Sequence, residues 1–398
     1  MASTDIAPRL VTDTQHLEAL CDQLAGEPVY GFDTEFHTER TYYAQLALIQ
    51  LTWRDQIALV DPLAVDPAPL GRVLSGDAVA VVHAAEQDLD VLEMACGAIP
   101  KVVFDTQVVA GFLGMSSPSL ARLVEQVLGV DLPKADRLSD WMVRPMTSDQ
   151  LLYAANDVAY LLALRDGLTE RLVELGRLEW ALDECADVLA NRRGERIPEE
   201  TWWKMGDIRR MSERQRAVAQ EVSAWRERRA ASVNRPRRSV LSDLALLTIS
   251  QRPPRNREEL GRLRGVDGRH LADGAGAEIL AAVHRGRDLP REEIRMPTEG
   301  RETQAPAATV AVCGGLVRQI ADNLHFDQSL LATRADIALL LAGEPSRLDH
   351  GWRQTIVGDP LRQLIDGKVA VTFDGRGRLI LEERSHHEHA LPGQAGAE

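Results

Sequence analysis

Hydrophobic and polar positions repeat with two different periods along this chain, and the changes between them divide it into segments. In 11–25, Leu17, Leu20 and Leu24 recur at helical spacing, after Thr12 and Asp13, either of which can cap a helix. The pattern then turns to short apolar runs. Residues 29–36, 44–52 and 56–60 read as strands, the last two joined by a turn at Trp53-Arg54-Asp55. A short helix near Leu70–Leu74 precedes 78–83, an almost unbroken apolar strand of the kind buried on both faces. A helix over 87–96, a strand at 102–104 and helices over 106–114 and 118–128 follow. A loop at Leu132-Pro133-Lys134 and a turn at Ser139-Asp140-Trp141 lead to a helical pattern from Ser148 to about Leu164, then another to about Leu189. Strands first and strand–helix alternation afterwards predict an α/β domain over 1–190, a mixed sheet flanked by helices.

Beyond it, 191–207 reads as a linker, carrying Arg192-Arg193-Gly194 and Ile197-Pro198. Residues 208–287 are helical throughout, broken at Asn234-Arg235-Pro236 and Arg252-Pro253-Pro254. A polar, Pro-containing stretch over 288–308 reads as a second linker. Residues 309–383 are helical again and end in a hairpin around Asp374-Gly375; 384–398 is expected to be a disordered tail. The chain therefore reads as an α/β domain followed by one or two all-α domains, and the two helical segments are similar in length.

Composition adds one asymmetry. The chain of 398 residues carries a net charge of −14, yet 204–287 holds 19 Lys+Arg against 10 Asp+Glu, which is +9 and leaves −23 elsewhere. That split fits an acidic catalytic part beside a basic binding part. No stretch of about 18 apolar residues is present, and Met-Ala-Ser-Thr-Asp lacks the basic and apolar regions of a signal peptide. Cys21, Cys96, Cys185 and Cys313 form no Cys-x-x-Cys pair and read as reduced thiols of a cytoplasmic protein.

Three stretches carry candidate chemistry. In Val29–His37, Asp33 and Glu35 stand two apart on a predicted strand, hence on one face, about 6–7 Å apart along the chain. Two carboxylates on one face resist burial unless a cation sits between them, and hard divalent cations take oxygen ligands; solvated acids at a strand end are the alternative. Asp88 follows the strand that ends Val81-Val82-His83, at the start of a helix and near a sheet edge where α/β sites are built; an acid favoured there by the helix dipole is the alternative. Tyr153 and Asp157 are i and i+4 on a helix, one turn apart on a face shared with Leu161 and Leu164. A cation and a water would satisfy them there; a hydrogen bond that merely ties the helix down is the alternative.

The order Asp-x-Glu, His-x4-Asp, Tyr-x3-Asp resembles the three exonuclease motifs of the DEDD superfamily in its Tyr-containing branch. The longer strings Gly31-Phe-Asp-Thr-Glu-Phe36, His83-Ala-Ala-Glu-Gln-Asp-Leu89, Phe104-Asp-Thr-Gln107, Ser139-Asp-Trp141 and Tyr153-Ala-Ala-Asn-Asp-Val-Ala-Tyr-Leu161 are similar to the bacterial ribonuclease D family. Trp225-Arg226, Ala230, Pro236, Leu241-Ser-Asp-Leu244, Leu260 and Ile279-Leu280 resemble an HRDC domain, a helical nucleic-acid-binding module; 309–383 resembles a second, divergent one only faintly.

The resemblance implies a ribonuclease H-like exonuclease domain in which Asp33, Glu35, Asp88 and Asp157 hold two divalent cations, Mg²⁺ or Mn²⁺, with Tyr153 orienting the attacking water. His83 belongs to the pattern as a packed histidine rather than a ligand. The implied activity is 3′→5′ hydrolysis of RNA to nucleoside 5′-monophosphates, with transfer-RNA precursors as the expected partner, no membrane, and a monomer favoured. In the basic segment, Arg235, Arg237, Arg238, Arg252, Arg255 and Arg257 cluster around two Pro-containing loops, where guanidinium groups can reach phosphates; a solvated arginine-rich face is the alternative. A DNA 3′→5′ exonuclease of the same superfamily, a catalytically inert nucleic-acid-binding adaptor and a structural cation-binding protein remain open at this point.

Overall fold

A computed structural model of the chain describes residues 7–132, 140–190, 192, 197–206, 210–272, 274–296 and 305–385. The expected turn residue Ser139, the linker residues Arg193 and Gly194 and nearly all of the expected tail lie outside these residues. The chain forms two compact units, one of residues 1–106, 120–168 and 184–300, the other of 107–119, 169–183 and 301–398.

The first unit contains a six-stranded mixed sheet. Its strands are β1 (Arg9–Val11), β2 (Val29–His37), β3 (Gln45–Trp53), β4 (Gln56–Val60), β5 (Val79–Val82) and β6 (Val102–Asp105), in the order β1-β4-β3-β2-β5-β6. The β2–β3 and β3–β4 pairs are antiparallel; β1–β4, β2–β5 and β5–β6 are parallel. β1 has no counterpart in the sequence reading, because three residues show no period; its register against β4 places it.

Helices α1 (Thr14–Leu24), α2 (Gly71–Leu74) and α3 (Glu86–Cys96) interleave with the strands. Asp13 caps α1, its carboxylate accepting from the backbone N–H of His16. Leu17, Leu20 and Leu24 of α1 and Leu89 and Leu92 of α3 bury one sheet face, against Tyr30, Phe32, Ile49, Leu51, Ala80 and Val82. Along the chain then come α4 (Thr106–Gly111), α5 (Leu120–Leu128), α6 (Ser148–Ala159), α7 (Leu161–Glu174) and α8 (Leu178–Ala190), of which most of α4, the end of α7 and the start of α8 belong to the second unit. α6 lies across β2, β3 and β4 on the other face. The helical pattern expected to run from Ser148 to Leu164 is interrupted at Tyr160, with no Gly or Pro to mark the break.

The helical remainder of this unit holds α9 (Glu213–Ser232), α10 (Arg237–Val240), α11 (Asp243–Gln251), α12 (Arg257–Gly261), α13 (Gly268–Leu271) and α14 (Ala275–Asp288). Val218, Val222, Trp225, Leu246, Ile249, Leu260, Ile279 and Val283 form its core. α14 approaches α9 closely enough that a Cβ at Gly286 would stand 2.6 Å from the Cα of Val218. Within the stretch expected as a linker, Pro198–Lys204 forms a 3₁₀ helix and buries Trp202 against Met211 and Ala219.

The second unit contains α15 (Ala307–Leu324), α16 (Gln328–Leu331), α17 (Arg334–Ala342), α18 (Gly351–Arg353), α19 (Asp359–Ile365) and the antiparallel pair β7 (Val369–Phe373) and β8 (Leu379–Glu383). The hairpin expected around Asp374-Gly375 is present, Asp374 accepting from the backbone N–H groups of Arg376 and Arg378. Phe112, Trp180, Phe326 and Trp352 form an aromatic cluster in this unit, with Arg177 over the Phe326 ring. Among the described residues, no helix is long and apolar enough to cross a membrane.

Candidate active site

Alternation along β2 separates two jobs. Tyr30, Phe32 and Thr34 are buried on the α1–α3 side, while Gly31, Asp33 and Glu35 face α6. Gly31 sets how near α6 and α7 can come: a Cβ there would lie 2.7 Å from Thr52 Cγ2 and 3.1 Å from Leu161 Cδ1. Leu161 is one turn beyond Asp157, so a bare backbone at 31 lets the Asp157 end of α6 reach the strand. The result is a group of three half-buried acids, Asp33, Glu35 and Asp157, each offering an oxygen within 4.8 Å of the others.

This crowding is unfavourable for ionised carboxylates. Burial pushes Asp33 well above the usual carboxylate range, and Asp88, Asp157 and Glu35 add repulsion. Burial, then Asp157 and Asp88, push Glu35 up to about 8. Folded Glu35 thus keeps its proton up to about pH 8, whereas in the unfolded chain it releases it near 4.5. Between those values the native state binds more protons, so stability falls as pH rises. We expect the metal-free protein's melting temperature to fall from about pH 5 to about pH 8 in EDTA, and the fall to flatten with Mg²⁺, which favours the ionised forms. Equal slopes in both buffers would contradict a cation at this group.

Asp88 lies outside the group of three but within its electrostatic reach. Burial raises its pKa, and hydrogen bonds, first that from the Thr34 hydroxyl to its Oδ1, oppose the shift. Asp88 is delivered by a strained turn. Ala84 adopts a left-handed φ of 59°, and the buried Asp105 holds the turn by accepting from the N–H groups of Ala84 (3.0 Å) and Ala85 (3.3 Å). His83 is part of the same scaffold. Thr106 Oγ1 donates its proton to Val82 O (2.8 Å), so His83 Nδ1, 2.9 Å from Thr106 Oγ1, is the donor to that hydroxyl.

α6 brings Tyr153 and Asp157. A capping box starts the helix: Thr147 accepts from the Gln150 N–H, and the Gln150 side chain accepts from the Thr147 N–H. The loop before it is pinned to the sheet by Arg144. Its Nε and Nη2 bind the Asp61 carboxylate at 2.6 and 2.8 Å, and its guanidinium also reaches the carbonyls of Ala47, Trp141 and Val143. Trp141 in turn packs beside Tyr153, ring centroids 5.9 Å apart.

The loop that leaves β2 is held by the helical module of the same unit. The Tyr42 hydroxyl donates to the buried Glu227 of α9 (3.0 Å), and Asn234 Oδ1 accepts from the N–H groups of Tyr42 and Tyr43 (3.2 Å each). This accounts for Arg237, one of the six arginines expected to contact substrate: its guanidinium is 3.2 Å from Glu227 and neutralises that buried charge. Arg238 is exposed beside Asp243 at 3.1 Å. Arg235, Arg252, Arg255 and Arg257 are exposed and, among the described residues, their side chains form no ion pair. Gly31, Thr34, Asp105 and Asn234 stand in stretches singled out above, but their roles, like that of Arg144, depend on partners distant in the chain that no local pattern shows.

The comparisons with known proteins agree with this geometry. A 3′–5′ exonuclease family model matches residues 8–173, and an HRDC domain model matches 215–283. The ribonuclease D of Gluconacetobacter diazotrophicus is 38% identical over 92% of this chain and 95% of its own length. That of Acidiphilium cryptum is 34% identical over 93% and 96%. The crystal structure of Escherichia coli RNase D, an exoribonuclease involved in structured RNA processing, superposes with a TM-score of 0.80 at 30% identity, covering 90% of this chain and 98% of that one. The chain belongs to the ribonuclease D family of 3′→5′ exoribonucleases.

Proposed function

We propose that the chain shortens RNA from its 3′ end to nucleoside 5′-monophosphates using two divalent cations, Mg²⁺ or Mn²⁺, held by Asp33, Glu35, Asp88 and Asp157. The supporting observation is the meeting of three acids from β2 and α6 within 4.8 Å. Their oxygens are hard donors, and their mutual repulsion is relieved by a cation, so the donor set fits such ions. When bound, the cations supply an activated water and stabilise the charge that develops on the scissile phosphate and the leaving 3′-oxygen. Asp33 and Glu35 present their carboxylates from a rigid strand, and Thr34 orients Asp88. Tyr153, set against Trp141, orients the attacking water; its hydroxyl is too weakly acidic to act as the base at neutral pH.

The α9–α14 module, as a domain over 208–287, grips the RNA body through Arg235, Arg238, Arg252, Arg255 and Arg257, with Arg237 serving chiefly to neutralise Glu227. Substitution of Arg235, Arg252, Arg255 and Arg257 by alanine is expected to lower the salt slope of RNA binding by up to about 3, at roughly 0.7 for each phosphate that is no longer neutralised. An unchanged slope in a filter-binding titration counts against these four arginines as phosphate ligands. The substrates proposed are structured RNAs such as transfer-RNA precursors, acted on in the cytoplasm by a monomer, with 309–383 as a second, divergent helical domain. Digestion of matched RNA and DNA strands tests the substrate class: equal rates on both would favour the DNA exonuclease reading.

A further inference from the structure

Gln50 is fully buried at the centre of β3, and neither its amide nitrogen nor its amide oxygen has a hydrogen-bond partner. An orphaned buried amide costs on the order of 1–3 kcal/mol, so its presence at the heart of a sheet calls for a use. Its position supplies one. In the antiparallel β2–β3 pair Gln50 stands directly opposite Asp33, with Thr52 opposite Gly31 and Leu48 opposite Glu35. Directly opposed residues project to the same face, with Cβ atoms about 4.5–5.5 Å apart. Gln50 therefore lies on the α6 side of the sheet, beside the carboxylate at the centre of the acidic group.

We propose that Gln50 is a positioning residue for Asp33: when Asp33 holds a divalent cation, the Gln50 amide N–H, unpartnered in this structure, turns to donate to that carboxylate and fixes its orientation. The proposal rests on the metal reading above. An ionised carboxylate accepts several hydrogen bonds, and a neutral amide is the donor that does not compete with the cation by charge. Partners of this kind behind a ligand are worth about 10–100-fold in metal affinity.

The test is calorimetric titration of Mn²⁺ into the full chain, wild type beside Gln50→Met and Gln50→Leu, with melting curves in EDTA. The apolar variants remove an unpaired polar group, so their metal-free melting temperatures should equal or exceed that of wild type, while Mn²⁺ affinity falls about 10–100-fold. Gln50→Met, nearest in shape, guards against a packing failure of Gln50→Leu. Unchanged Mn²⁺ affinity in a folded Gln50→Met overturns the proposal. So does a lower metal-free melting temperature with affinity intact, which marks a purely structural amide. Absence of Mn²⁺ binding in the wild type itself would overturn the metal reading along with it.

Discussion

Asp33→Asn should abolish RNA hydrolysis, by on the order of 10³-fold or more, and at the same time raise the melting temperature of the metal-free protein by a few °C at neutral and alkaline pH. The two effects have opposite signs for one reason. Asp33 is held well above the ordinary carboxylate range by burial and by Asp88, Asp157 and Glu35, so its ionisation is unfavourable in the metal-free fold. Asparagine keeps the shape and removes that charge. It also removes a cation ligand, so Mn²⁺ should stabilise the variant much less than the wild type. Melting curves of both proteins with EDTA and with Mn²⁺, beside initial rates on a single-stranded RNA, check this. A variant that loses activity and also melts lower in EDTA would place Asp33 in the scaffold instead.

Arg144→Ala is expected to cost about 3–5 kcal/mol, because it leaves the Asp61 carboxylate, buried to 6% side-chain exposure, without its bidentate partner. For a unit of this size that is roughly 6–20 °C in melting temperature. The remaining hydrogen bond to Asp61 Oδ1, from the Leu63 N–H, does not neutralise the charge. The same substitution frees the loop that delivers α6, so the rate should fall about 10²-fold even well below the melting temperature, through displacement of Tyr153 and Asp157. The double substitution Arg144→Ala with Asp61→Leu removes the uncompensated charge and should recover much of the stability while leaving the rate low. Additive destabilisation in the double variant would show that the pair is not coupled.

Two pairs of the candidate site are legible as local periodicity, and the resemblance to the exonuclease motifs joins them with Asp88 into one set. A two-residue step on a strand places Asp33 and Glu35 on one face, and a four-residue step on a helix places Tyr153 and Asp157 on one face. Strand and helix identities followed from the same patterns, so the mixed sheet and the helical C-terminal region were both readable. Sequence carries no comparable signal for contacts made across the fold. By sequence Gln50 is one polar residue within an apolar strand; its place opposite Asp33 is a property of the strand register. By sequence Arg237 is one of six arginines open to phosphate; the fold buries Glu227 beside it. Trp202 sat in a segment without period, and only the fold shows it fully buried. β1 and the break at Tyr160 are set by pairing and packing rather than by any residue that punctuates the chain.

The central claim is tested most directly by digesting one RNA labelled at its 5′ end and, separately, at its 3′ end, with Mg²⁺ or Mn²⁺ present. The account predicts a ladder that shortens one nucleotide at a time from the 3′ end, immediate release of the 3′ label as a nucleoside 5′-monophosphate, and loss of both on adding chelator. Internal cuts, shortening from the 5′ end, or digestion that survives the chelator would contradict it.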